Sequence, residues 1–124
     1  MKAHEITTQK QLFDLVRLGE ANHLECAPHL PISRDRIIEV GLSVMNDIDR
    51  KGMNIWIVYN KDKEAMGYAV GYSAPFLFSE AVCAKLELLY VYPAFRGTYA
   101  MISLVKAFEE SEGASVRALN SARR

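Results

Sequence analysis

The sequence has no excess of charge of either sign: fifteen Lys and Arg offset fifteen Asp and Glu among 124 residues. No long-range field draws the chain to nucleic acid or to an acidic membrane surface, and the basic end, Arg123-Arg124, reads as a solvated tail. Cysteine is equally sparse. Cys26 and Cys83 stand alone, without CxxC or Cys/His spacing, which argues against a thiolate metal site and suits a reducing compartment. No apolar run approaches the roughly 20 residues of a membrane span, and the N-terminus, with Lys2, His4 and Glu5, lacks the hydrophobic stretch of a signal peptide. The expectation is a cytoplasmic protein. No repeat or low-complexity linker interrupts the chain, so residues 1–124 read as one domain, half apolar and able to bury one core.

What the sequence does contain is a readable order of elements. Residues 3–7 suit an edge strand. Thr8 and Gln11 have the spacing of a capping box ahead of Leu12, Leu15 and Val16, so a first helix begins there and runs toward Leu24, ended by the Pro28 to Pro31 segment. Ser33 caps a second helix whose apolar positions Ile37, Ile38, Leu42, Met45 and Ile48 follow helical spacing, with Arg34, Asp35, Glu39 and Asp49 toward solvent and Gly52 as its stop. From Met53 the period changes. Ile55 to Tyr59 and Ala65 to Tyr72 make an antiparallel hairpin about the polar turn Asn60 to Glu64, with Gly67 and Gly71 marking a bulge or a close neighbour. Pro75 ends that strand. Val82 to Tyr92 reads as a third long strand, closed by Pro93, and Met101, Leu104, Val105 and Phe108 define a helix stopped by Gly113. Ser115 to Asn120 reads as a final strand, parallel to the one before the helix. The fold class is therefore α/β.

Between Pro93 and the last helix the chain places a cation, a glycine and a hydroxyl at the first helical turn: Arg96, Gly97 and Thr98. The first N–H groups of a helix lack internal partners and sit at the positive end of its dipole, so a phosphate is a natural guest. Gly97 has no Cβ to hold the guest off. Arg96 adds charge, and Thr98 either caps the helix or donates its hydroxyl.

The run Leu-Leu-Tyr-Val-Tyr-Pro-Ala-Phe-Arg-Gly (88–97), followed by the helix from Ala100 to Gly113, resembles the acetyl-CoA motif of the GNAT superfamily of N-acetyltransferases. The preceding order of two helices and a hairpin is also that family's, and His-Leu-Glu-Cys-Ala-Pro-His-Leu-Pro (23–31) is similar to the interhelical segment of its bacteriophage-type members. The resemblance implies a β-α-α-β-β-β-α-β order in which the strand at Leu86–Val91 splays from its neighbour at Ser115–Asn120. The pantetheine arm of acetyl-CoA would lie in that gap, against Leu89, Tyr90, Val91 and Asn120. Its pyrophosphate would rest on Arg96, Gly97, Thr98, Tyr99, Ala100 and Met101. Two departures stand out. Tyr99 and Met101 replace a glycine or small residue, so either Tyr99 points away or the loop differs, and a complete member continues past Asn120 with a helix and hairpin. The expectation is a chain truncated after its fifth strand.

For direct acetyl transfer to an amine, Glu87 on the same strand is the implied base, unless it faces solvent or pairs with Lys85 or Lys106. A main-chain N–H near Tyr90 or Val91 would polarise the carbonyl. Glu25 lines the acceptor entrance or is a helix-end surface carboxylate, and His23 and His29 beside it are too irregularly spaced for a metal. The acceptor, a small-molecule or protein amine, is left open. The alternative is a non-catalytic module that acts through a partner chain or a homodimer completing its sheet.

Overall fold

The computed structural model describes residues 2–46, 52–75, 78 and 80–122, the last eleven of these by backbone alone. The order is β1 (Ala3–Glu5), α1 (Gln9–Cys26), α2 (Arg34–Met45), β2 (Asn54–Tyr59), β3 (Ala65–Pro75) and β4 (Val82–Val91). A single 3-10 turn at Pro93–Phe95 then leads to α3 (Ala100–Ala122). The four strands form one antiparallel sheet in chain order, β1-β2-β3-β4.

Local chemistry accounts for the element starts. Thr8 Oγ1 accepts from the Gln11 N–H at 3.2 Å while the Gln11 carboxamide accepts from the Thr8 N–H at 3.0 Å, the reciprocal capping box. Ser33 caps α2 by accepting from the Arg36 N–H. In the β2–β3 turn the Asn60 side chain accepts from the N–H groups of Asp62 and Glu64, and Lys63 takes the left-handed conformation at φ +62°.

Alternation along β2 divides the core into two layers. Ile55 and Ile57 face α1 and α2 together with Leu15, Leu18, Tyr68 and Val70, whereas Trp56 and Val58 face α3 together with Ala69, Ala100 and Leu104. Two glycines of β3 let this packing close. A Cβ on Gly71 would sit 2.6 Å from the Phe108 ring, which meets Trp56 edge-on. A Cβ on Gly67 would sit 2.4 Å from the Tyr90 carbonyl oxygen, so here β4's backbone takes the space.

The α/β architecture, the hairpin and its glycines match the sequence reading; the end of the chain does not. Residues 115–120, expected as a fifth strand, are helical, because α3 continues through Gly113 to Ala122. A single glycine costs a helix only about 1 kcal/mol, and the stretch after it keeps helix formers whose backbone bonds are satisfied within the segment. The parallel crossover goes with it. Asn120 lies on α3 rather than on a strand beside β4, and β4 is an edge of the sheet among the described residues. α2 ends at Met45 with Asn46 as its cap, ahead of Gly52; Ile48 and Asp49 lie outside the described residues.

Asp14 anchors α1 to the sheet. Its buried carboxylate accepts from the Tyr59 hydroxyl at 2.6 Å and from Lys10 at 2.9 Å, and it pairs with Arg17. Burial alone would raise its pKa; the three donors outweigh that and hold it below the ordinary 3.8. Asp14→Ala is expected to lower stability by about 2 kcal/mol and Tyr59→Phe by about 1 kcal/mol, read by urea denaturation. Because the folded-state pKa is depressed, this contribution is complete above pH 3.8 and disappears as pH falls through the lowered value. The acid limb of the stability curve should therefore flatten in Asp14→Asn. Gly67→Ala should destabilise by about 1–3 kcal/mol, since the atom in the way is backbone; an unchanged denaturation midpoint would contradict that approach.

Candidate functional site

The site is built on β4. Its Tyr92 neighbour donates to the Met66 carbonyl of β3 at 2.8 Å, so by alternation the N–H and C=O groups of Val91 and Leu89 point the other way, to the open edge. The Val91 carbonyl is used there by Arg96, whose Nε donates to it at 2.9 Å. One turn lower, β4 carries one residue more than β3. Val70 pairs with Leu88 and Gly71 with Leu86, which leaves Glu87 as the bulged residue. A bulge re-aims its side chain.

Two clefts meet along this strand. The first, of about 570 Å³, runs from Leu89, Tyr90 and Val91 over Phe95, Arg96, Gly97 and Thr98 to Met101 and Ile102. The second, of about 640 Å³, lies between α1, α2 and the sheet and holds Glu87. Asn22, Cys26 and Leu89 line both, so these three form the seam. Asn22 is held in place there, donating to the Tyr68 hydroxyl at 2.8 Å and accepting from the Cys26 thiol at 3.3 Å.

The turn before α3 offers main-chain donors. Gly97 has φ +85° and open space where a Cβ would be. Thr98 Oγ1 accepts from the Ala100 N–H at 3.2 Å, so the hydroxyl caps the helix. Among the described residues, no acceptor meets the N–H groups of Gly97, Tyr99, Met101 or Ile102. Such a set of unpaired donors at a helix start suits an anion. Tyr99 does point away: it is 72% exposed and lines a separate groove with Lys2 and Ala3. Ala100 is buried beneath the turn, and the side chain of Asn120 is outside the described residues.

Glu25 is not in the second cleft. Nor does it line the first: an exposed carboxylate in the last turn of α1, it accepts from Arg96 Nη2 at 2.8 Å and from the Tyr90 hydroxyl at 3.1 Å, with the guanidinium 5.6 Å from the Tyr90 ring centre. The Arg96 hydrogen bond holds the Glu25 pKa below its ordinary value, and burial followed by the Glu25 contact raises that of Tyr90. Arg96 therefore reaches the anion site with its charge already matched. Sequence reasoning placed Leu89 to Val91 and Arg96 to Thr98 together, and the structure does bring them to one cleft. It missed Asn22, Phe95 and Ile102, and treated Cys26 as a bystander. The only local hint was that Asn22 and Cys26 are four apart on one helix face.

No family model matches the sequence, and no curated protein matches it. Solved structures do. An aminoglycoside antibiotic 6'-N-acetyltransferase from Acinetobacter baumannii superposes with a TM-score of 0.69 at 16% identity, covering 91% of this chain and 71% of that one. An aminoglycoside acetyltransferase from an uncultured soil metagenomic sample, solved with sisomicin, gives 0.66 at 14% identity, over 92% and 70%. AAC(6')-Iy, solved with the bisubstrate analogue CoA-S-monomethyl-acetylneamine, gives 0.65 at 18% identity, over 88% and 69%. The chain has the fold of the GNAT acetyltransferases.

Since Glu25 competes with any anion for Arg96, Glu25→Gln should bind pyrophosphate several-fold more tightly than the unaltered chain in a calorimetric titration. The gap should narrow in high salt, because both contacts are solvent-accessible. Weaker binding by the variant would show that Glu25 holds Arg96 in its anion-binding position instead of competing for it.

Proposed function

We propose that this chain is an acetyl-CoA-dependent N-acetyltransferase: the first cleft takes the cofactor, the second the amine, and the two react across the seam at Asn22, Cys26 and Leu89. The observation that carries this reading is that one open strand edge, β4, and one donor-rich helix start share a cleft that joins a second cleft containing a carboxylate. The residues suit the cofactor. The outward N–H groups of Leu89 and Val91 would pair with the amide arm as an added strand pairs with an edge. The N–H groups at Gly97, Tyr99, Met101 and Ile102 would hold its pyrophosphate, and Arg96 would turn from Glu25 to the phosphates.

Bound acetyl-CoA supplies a thioester, whose carbonyl carbon is the electrophile. The chain's part is to place and to deprotonate. Glu87, re-aimed by the bulge into the second cleft, accepts the proton of the incoming ammonium, directly or through water, so that a neutral amine reaches the seam. A β4 main-chain N–H beside the seam would stabilise the oxygen as it gains charge. The fold neighbours named above act on aminoglycosides, which supports a small-molecule amine as the acceptor here.

A second reading rests on the same edge. β4 is ten residues long, lies at an edge of the sheet among the described residues, and exposes Leu88 and Leu89, so a strand of another copy could pair with it along Leu86–Val91. Both readings use the same N–H groups. Sizing by light scattering separates them, because a dimer through β4 would block the cofactor cleft.

Calorimetric titration with acetyl-CoA should give a micromolar Kd, about −8 kcal/mol, weakened at least tenfold in Arg96→Glu. Cys26, exposed at the seam, should be shielded from iodoacetamide by CoA, while labelling of the half-buried Cys83 stays unchanged. Absence of CoA binding to the unaltered protein would refute the proposal.

A further inference from the structure

The second cleft restricts which amine can reach the seam. Much of its wall is hydrocarbon: Ile32, Ile37, Val40, Ile55, Val70 and Leu88. Ile32 is 40% and Leu88 43% exposed, so among the described residues this part of the wall stands open to solvent, above the buried Ile55 and Val70. Its charged side chains among the described residues are one carboxylate, Glu87, and one cation, Arg36. Arg36 also pairs with Glu39 at 3.3 Å, both partners about two-thirds exposed, so its charge is only weakly offset. His23, also in the lining, is engaged through Nε2 with the Leu30 carbonyl.

One carboxylate matches one ammonium. A second ammonium drawn into the cleft would lose water against an apolar wall, find no anionic partner and meet Arg36. A hydrocarbon body, by contrast, gains by covering Ile32, Ile37, Val40 and Leu88. Charge and surface therefore point to the same guest.

We infer that the acceptor is a monoamine on an apolar body, an arylalkyl- or alkylamine, and that polycationic amines are excluded. This rests on the acetyltransferase reading. The ammonium loses one proton to the Glu87 carboxylate, the freed nitrogen forms the new C–N bond at the acetyl carbonyl carbon, and the C–S bond breaks with its electron pair leaving on the CoA sulfur, which takes up the second proton that the nitrogen sheds as the amide forms.

Amine binding is measurable without cofactor, which keeps this inference separate from the function proposed above. Calorimetric titration of the full chain with phenethylamine and with spermine, free of CoA, should show phenethylamine at least tenfold tighter. Glu87→Gln should weaken phenethylamine at least fivefold. Ile32→Asp, at a loop position 40% exposed and outside the buried core, should weaken phenethylamine and strengthen spermine. Spermine binding as tightly as phenethylamine, or phenethylamine binding unchanged by both substitutions, would overturn the inference. Loss of CoA binding with these amine preferences intact would instead count against the cofactor reading alone.

Discussion

The close approach of β4 to β3 at Gly67 is the constraint on which the site depends. With no side chain on β3 at that point, the Tyr90 carbonyl occupies the space a Cβ would take. Tyr92 continues the pairing through Met66, and the neighbouring residues are turned with their main-chain groups outward. The bulge at Glu87 then absorbs the register difference further along the strand. One strand thus presents an open backbone edge at Leu89 and Val91 and, two residues before Leu89, the bulged carboxylate of Glu87. These are the two features that an acyl donor and an amine require of a shared surface.

Helix α1 is what holds the second cleft against that strand. Polar ties run from it to three strands in succession: Asp14 to Tyr59 of β2, Asn22 to Tyr68 of β3, and Glu25 to Tyr90 of β4 and to Arg96 just beyond. The first is buried and structural. The last is exposed, and an exposed ion pair contributes little to stability, so it is free to act as a partner that an incoming anion displaces. The gradient from fixed to exchangeable follows the helix from its N-terminal half to the seam.

The likeness to aminoglycoside acetyltransferases concerns the path of the backbone, and acceptor choice lies in the side chains set on it. Here much of the cleft wall is aliphatic, and its charged side chains among the described residues are Glu87 and Arg36. One backbone path can therefore carry clefts of quite different charge, depending on the side chains that line them.

By itself the sequence determined the elements and their order through the start of α3. Caps at Thr8 and Ser33, the turn at Asn60, Pro75 at the end of β3 and Pro93 just beyond β4 act on neighbours a few residues away, where spacing is legible. It also placed Arg96, Gly97 and Thr98 at the start of α3, since a glycine and the unpaired donors of a helix start are local features. It misread residues 115–120, whose apolar spacing suits strand or helix and whose state depends on whether a neighbouring strand is there to pair. The seam at Asn22 and Cys26, the Glu87 bulge and the Glu25–Arg96 pair were decided only by tertiary structure. Asn22 meets Tyr68 across 46 residues and Glu25 meets Arg96 across 71. Contacts at such separations leave no periodicity in the chain, because they exist only once the sheet has set the distance between its strands and α1.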